Sequence, residues 1–120
     1  MPIIKTLKKI RDNYVINQVR KTKLPKFPKS ETVRLRCTFS GRVQKVGFRL
    51  EMSEMAKRLG LTGWCRNLEN GDVQAEIQGA WKKIDYLICF MGTPWRICVV
   101  KRVIERLPLV MDEKDFDISK

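Results

Sequence analysis

The stretch ETVRLRCTFSGRVQKVGFRLEMSEMAKRLG, residues 31–60, decides the fold predicted for this chain of 120 residues. In its first part, apolar side chains alternate with polar ones as in a half-buried β-strand, the apolar set being Val33, Leu35, Cys37 and Phe39. In its second part, apolar side chains recur at helical spacing, namely at Phe48, Met52, Met55, Ala56 and Leu59. Gly60 then stands where helices commonly end. The stretch therefore predicts a strand, a loop and a helix in direct succession.

The rest of the chain predicts three further strands and a second helix. A short strand is predicted at residues 61–67, and a hairpin turn follows at residues 68–71, where Asn-Gly is the strong signal. Residues 72–78 alternate again, and Gly79 is predicted to end that strand. A helical stripe comes next, formed by Trp81, Ile84, Leu87, Ile88 and Met91. Residues 96–107, rich in Val and Ile, predict a fourth strand, and residues 115–119 predict an optional short fifth.

This order of elements, βαββαβ, predicts the fold class. It is typical of an α+β, ferredoxin-like sandwich, in which an antiparallel sheet carries two helices on one face. The alternating apolar residues of the strands would be buried under the two helical stripes. Because this fold supports many unrelated functions, the function has to be argued from particular residues.

Residues 1–30 are predicted to form a basic N-terminal arm ahead of a domain at residues 31–120. The arm holds nine of the 25 Lys and Arg and one of the 13 Asp and Glu, so it carries +8 of the net charge of +12. An apolar helical stripe predicts an amphipathic helix, formed by Ile3, Leu7, Ile10 and Tyr14. Residues 21–30, rich in Pro and Lys, predict an extended linker. The arm is interpreted either as a partly disordered tail or as contacting acidic membrane or nucleic acid.

The composition excludes several classes of function. The chain has no histidine, which removes Ser-His-Asp and Cys-His nucleophilic schemes and the usual zinc sites. No apolar run is long enough to span a membrane, and no secretory signal is recognisable. Cys37, Cys65, Cys89 and Cys98 include no CxxC pair, so we expect buried thiols in a reducing, cytoplasmic compartment. No metal and no other cofactor are expected.

The loop SGRVQKVGFR, residues 40–49, combines three cations and two glycines with no carboxylate. A loop that enters a helix can gather backbone N–H groups at the helix N-terminus, where the helix dipole also favours an anion. Gly41 and Gly47 permit close approach of a ligand to the backbone. Arg49, in the first helical turn, can close over an anion with two parallel hydrogen bonds. Two interpretations remain open at this point, an anion-binding loop and a basic solvated turn.

Two motifs resemble the signatures of the acylphosphatase family. SGRVQKVGFR is similar to the first signature, although a glycine usually stands at the position of Lys45 in that family. GWCRNLENGDV, residues 63–73, is similar to the second signature. The resemblance covers about residues 32–118, nearly the whole chain apart from the arm. The fold that it implies is the ferredoxin-like one, which the order of strands and helices also predicts.

The resemblance implies an enzyme that hydrolyses acyl phosphates to a carboxylate and inorganic phosphate. Carried over to this chain, Arg49 binds the substrate phosphate and Asn67 positions the attacking water. The expected phosphate-binding residues, acting largely through backbone amides, are Val43, Gln44, Lys45, Val46, Gly47, Phe48 and Arg49. The expected partner is a small-molecule acyl phosphate, and inorganic phosphate or sulfate is expected to occupy the same site. A monomer is expected.

Two alternative functions remain open. A ferredoxin-like sheet with a basic arm is also suited to a non-catalytic module that binds nucleic acid, although VGFRLEM, residues 46–52, lacks the paired aromatics of the RNP1 motif. The other alternative is a maturation-type domain that acts on carbamoyl phosphate. The larger proteins of that type resemble this domain at their start, but their zinc motifs are absent here.

Overall fold

The computed structural model describes residues 2–41, 43, 47–92 and 99–119. Its helices and strands are α1 (Pro2–Lys21), β1 (Thr32–Gly41), α2 (Phe48–Arg58), β2 (Thr62–Asn67), β3 (Val73–Ala80), α3 (Trp81–Met91), β4 (Val99–Leu107) and β5 (Phe116–Ile118). Within these residues, no helix has the length and the apolar character that crossing a membrane requires.

The strands form one five-stranded sheet in the order β4-β1-β3-β2-β5. The pairs β1–β3, β1–β4 and β2–β3 are antiparallel, which confirms the ferredoxin-like arrangement predicted from the element order. The short fifth strand is present, but it pairs parallel to β2. The sequence predicted an antiparallel sheet with an optional fifth strand and gave no direction for that strand, so the finding here is that the sheet is mixed at this edge. After β4 the chain crosses to the far edge and enters β5 in the direction in which β2 runs.

The core lies between the sheet and the helices α2 and α3. The predicted apolar sets of β1 and α2 are buried there with the exception of Leu35, which is half-buried. The stripe of α3 is buried except at Trp81, which is 44% exposed beside Lys82 and not packed as expected. Each fully buried large apolar side chain contributes about 1.5–3 kcal/mol relative to an exposed one. This burial fixes α2, and with it the start of α2, against the sheet.

The turns follow the glycine signals closely. Gly60 ends the region of α2 in the left-handed conformation with φ 71°, as its position predicts. In the turn between β2 and β3, the Leu68 N–H donates to the Asp72 carbonyl at 2.8 Å. Asn70 accepts a hydrogen bond from the Asp72 N–H through its side chain. Strand β3 runs to Ala80 and does not stop at Gly79, because β1 pairs along this whole length.

Helix α1 packs beside α2 through a face that the sequence pattern did not single out. Val15 and Val19 are 8% and 0% exposed, and Val19 belongs to the main core. Arg58 of α2 donates to the carbonyls of Val19 and Thr22 near the end of α1. Three members of the apolar stripe noted in the sequence face solvent, namely Leu7, Ile10 and Tyr14, each about 60% exposed. The boundary between arm and domain at residue 30 remains a prediction.

The cysteines match the expectation of buried thiols only in part. Cys37 and Cys65 are buried thiols in the sheet, on the side covered by the helices. Cys89 is a thiol exposed on α3, since it lies off the stripe that faces the sheet. Cys98 lies outside the described residues.

Candidate active site

The junction between β1 and α2 forms the centre of the candidate site. Gly47 precedes α2 with φ 74° and ψ 13°, a left-handed conformation that residues with a Cβ rarely adopt. Phe48 is buried and packs edge-on against Phe39 of β1, with ring centroids 5.2 Å apart. The Glu51 N–H donates to the Gly47 carbonyl at 3.0 Å, which closes the first turn of α2. The loop therefore ends at a fixed point on the sheet.

A cavity of about 220 Å³ opens at this junction. Its described lining comes from three parts of the chain, namely Val43, Gly47, Phe48, Arg49 and Leu50 at the junction, Ile118 of β5, and Lys8, Arg11 and Asp12 of α1. The first turn of a helix leaves its N–H groups without intrahelical acceptors, so this turn presents a positive dipole end to the cavity. An anion of modest size suits such an environment.

Arg49 is half-buried in the wall of this cavity. The guanidinium Nη1 lies 3.5 Å from the Ser119 carbonyl oxygen, at the limit of a hydrogen bond. Among the described residues, no carboxylate forms an ion pair with it. Burial raises the pKa of the nearby Cys65 thiol to about 12, although the charge of Arg49 acts in the opposite direction. Arg49 is thus a partly desolvated cation without a strong partner in the described part of the chain.

Asn67 lies at the end of β2, two residues beyond Cys65. Side chains two residues apart on a strand point to the same side of the sheet, so Asn67 points to the side on which Cys65 is buried. Its Oδ1 atom is buried and has no hydrogen-bond partner within the described ranges. Asn67 is not one of the described residues that line the cavity. A buried acceptor without a partner is costly, which makes this oxygen a candidate to bind a water.

The predicted site residues fall into three groups. Val43, Gly47, Phe48 and Arg49 lie together around the cavity. Asn67 lies on the neighbouring strand and outside the lining. The remaining predicted phosphate-binding residues, Gln44, Lys45 and Val46, lie outside the described residues. The roles assigned to all of these residues remain predictions.

Sequence reasoning missed the contribution of α1 to the cavity. Lys8, Arg11 and Asp12 belong to its described lining. A signal for this was available, because Lys8, Arg11, Val15 and Val19 are spaced three, four and four residues apart and share one helix face. The sequence prediction instead followed the longer apolar stripe of the same helix, which lies on another face.

The described residues offer little to a metal ion. No group of three or more His, Cys, Asp or Glu side chains in this part of the chain is placed to hold one. The charged groups in the described lining of the cavity are mostly cationic, and the one carboxylate among them, that of Asp12, pairs with Arg11 at 3.0 Å.

Fold and site together define a class of protein, small ferredoxin-like α+β domains with a cationic cavity at the first strand-to-helix junction. The family model of acylphosphatase matches residues 35–118. An acylphosphatase of Clostridium beijerinckii is 51% identical over 88 residues, which are 72% of this chain and 98% of that protein. An acylphosphatase of Trichormus variabilis is 42% identical over 69 residues, which are 56% of this chain and 68% of that protein.

The solved structure of an acylphosphatase from Coxiella burnetii is also similar. Its TM-score is 0.64 at 33% identity, and the match covers 73% of this chain and 93% of that one. The chain therefore belongs to the acylphosphatase family.

Proposed function

We propose that this chain hydrolyses acyl phosphates to a carboxylate and inorganic phosphate. The observation that carries the proposal is Arg49, a partly buried guanidinium at the start of α2 in the wall of a cavity, without a carboxylate partner in the described residues. Membership of the family supports the same activity. The nucleic-acid alternative is not favoured, because the family match covers the folded domain and not the basic arm.

The chemistry suits a chain without histidine. The carboxylate of an acyl phosphate is a good leaving group, so a general acid is barely needed. The remaining task is to hold the phosphoryl group and to direct a water at phosphorus. Arg49 and the N–H groups at the start of α2 stabilise the anionic oxygens in the transition state. This positive charge is proposed to be sufficient without a metal ion.

Asn67 is proposed to position the attacking water. Its Oδ1 can accept a hydrogen bond from the water, whose oxygen then bonds to phosphorus while the bond between phosphorus and the acyl oxygen breaks. The electron pair of that bond leaves with the carboxylate. One proton of the water stays on the attacking oxygen and the other passes to another oxygen of the phosphate group, so no protein side chain has to titrate.

The test is hydrolysis of benzoyl phosphate with EDTA present. We expect activity from the wild-type chain and a loss of at least about 10²–10³-fold in kcat/KM for Arg49→Ala, because one preorganised donor and part of the substrate binding are lost. The unfolding midpoint of Arg49→Ala should stay close to wild type. Arg66→Ala, an exposed arginine on β2, is the matched control and should retain full activity. If Arg49→Ala kept half of the wild-type kcat/KM, the proposed role of this residue would be refuted.

The reducing compartment expected from the cysteines is likewise a proposal. It is supported by the thiols of Cys37, Cys65 and Cys89, which form no disulfide with one another. A cytoplasmic location is the matching assignment, and fractionation of cells that produce the chain tests it.

A further inference from the structure

Helix α1 is held firmly enough to form part of a binding site. Val15 and Val19 bury its C-terminal half, and Arg58 donates to the Val19 and Thr22 carbonyls, the second at 2.6 Å. A charge-assisted hydrogen bond to a helix C-terminus is among the stronger contacts of its kind. The position of α1 beside α2 is therefore set by both packing and hydrogen bonds.

The face of α1 that is buried at Val15 and Val19 continues toward the cavity. Arg11 lies on this face one turn before Val15 and Lys8 two turns before it, and both line the cavity. The contact with the junction is close, because a Cβ at Gly47 would lie 3.1 Å from Val15 Cγ2 and 3.6 Å from Arg11 Nε. The guanidinium of Arg11 thus lies next to Gly47, the residue that precedes α2.

The cavity consequently has two cationic walls. One wall is the start of α2 with Arg49, where the proposed function places the phosphoryl group. The other wall is α1, where Lys8 and Arg11 outnumber the single carboxylate of Asp12. With the phosphoryl group against α2, the acyl group can extend into the space beside α1. Neither Lys8 nor Arg11 is within residues 35–118, the part that matches the family model.

We propose that Lys8 and Arg11 of α1 form a second cationic subsite, which selects acyl phosphates whose acyl group carries an anionic group of its own. This inference rests on the proposed function. A phosphoryl group at α2 and a carboxylate at α1 would each be held by cations, whereas an uncharged acyl group would gain nothing from the second subsite. The attraction acts in a partly open cavity, so it weakens as salt screens it.

The experiment compares two substrates, succinyl phosphate with a terminal carboxylate and benzoyl phosphate without one. The measured quantity is selectivity, the ratio of their kcat/KM values. In Lys8→Met and Arg11→Met we expect this ratio to fall about fivefold each, mainly through the KM for succinyl phosphate. Lys5→Met and Lys9→Met are matched controls, because these exposed lysines of α1 do not line the cavity, and they should leave the ratio unchanged.

A variant that removes a negative charge from α1 is expected to change the selectivity ratio in the opposite direction. Asp12→Asn removes the carboxylate that pairs with Arg11, so its ratio should rise in favour of succinyl phosphate. Unchanged ratios in Lys8→Met, Arg11→Met and Asp12→Asn, with wild-type activity on both substrates, would overturn this inference and leave the proposed function intact. An equal fall for both substrates would also overturn it, since the side chains would then act on the phosphoryl group. A wild-type chain inactive on both substrates would overturn the proposed function itself.

Discussion

Arg34 and Arg49 are two partly or fully buried arginines in very different surroundings. Arg34, on β1, is 2% exposed, and its guanidinium bonds Glu76 at 2.9 Å and Glu113 at 2.8 Å. Arg49, at the start of α2, reaches only the Ser119 carbonyl at 3.5 Å among the described groups. Arg34 links the sheet to the segment before β5. The guanidinium of Arg49, by contrast, has donors available to bind a ligand in the cavity.

The electrostatics of Arg34 confirm that its charge is compensated internally. Burial alone would lower its pKa, but the hydrogen bonds and charges of Glu113 and Glu76 outweigh burial, so the pKa of Arg34 is raised. The same partners lower the pKa of Glu76, where burial would otherwise raise it. The comparison teaches that the position of carboxylates, and not burial by itself, separates a structural arginine from one that is available to a ligand.

The largest effect on stability is expected when Arg34 is removed. Arg34→Met leaves Glu76 and Glu113 without their shared cation, and breaking such a buried pair costs about 3 kcal/mol in the free energy of unfolding. Urea unfolding followed by circular dichroism measures this loss. The folded variant should keep the kcat of the wild type, in contrast to Arg49→Ala. Arg66→Met is the exposed control, and a similar loss there would remove the distinction drawn for Arg34.

Removal of Asn67 should affect the reaction and not the fold. Asn67→Ala is expected to lower kcat about 10²-fold, because the water is no longer positioned. The free energy of unfolding should not fall, since the Oδ1 atom has no partner in the described part of the chain. Steady-state kinetics and urea unfolding measure the two effects.

Asn70→Ala is the matched control for Asn67→Ala. Asn70 accepts the Asp72 N–H at 3.0 Å in the hairpin turn, so its loss should reduce stability by about 1 kcal/mol and leave kcat unchanged. A drop in stability without a drop in kcat for Asn67→Ala would make Asn67 a structural residue like Asn70.

Alanine substitutions at Gly47 and Gly60 separate the effect of the α2 junction on hydrolysis from the effect of backbone strain on stability. Both have a left-handed backbone, with φ of 74° and 71°, so an alanine at either costs about 1–2 kcal/mol in strain. Only Gly47→Ala also presses on a neighbour, Val15 of α1 at 3.1 Å, whereas a Cβ at Gly60 meets nothing within 4 Å. We expect similar unfolding losses but reduced benzoyl phosphate hydrolysis in Gly47→Ala alone. Equal activity in the two variants would contradict a role for this junction.

The smallest expected effect is a pH dependence of stability. The pKa of Glu76 is lowered in the folded state, so its contribution to stability is fully present above the unfolded value of about 4.3 and is lost as pH falls through the lowered folded pKa. Unfolding midpoints measured from neutral pH into acid should therefore fall more steeply for the wild type than for Glu76→Gln. Parallel slopes would show that Glu76 gains nothing from Arg34 and Arg36.

Much of the fold and part of the site could be predicted from the sequence. The alternation around Cys37 and the helical stripe around Met52 reflect local geometry, so they predicted which side chains are buried. The turn at Gly71 was equally readable. The burial of Arg34 was not, because its partner Glu113 lies 79 residues away in the chain and pairs only once the sheet has formed.

The candidate site likewise has one part that the sequence predicted and one part that it did not. The motif around Arg49 predicted a cationic helix start, because a loop, a glycine and an arginine are adjacent in the chain. The spacing of Lys8, Arg11, Val15 and Val19 placed the two cations on one helix face, but only the tertiary structure shows that this face reaches the cavity, because it depends on packing Val15 and Val19 beside α2.

The sequence by itself determined the order of strands and helices, the face of β1 that is buried and the cationic start of α2, since each depends on residues close in the chain. The tertiary structure alone decided which arginine is neutralised, which asparagine oxygen is buried without a partner among the described residues, and that α1 forms a wall of the cavity. These depend on contacts between distant segments, whose partners are chosen only when the apolar faces pack together.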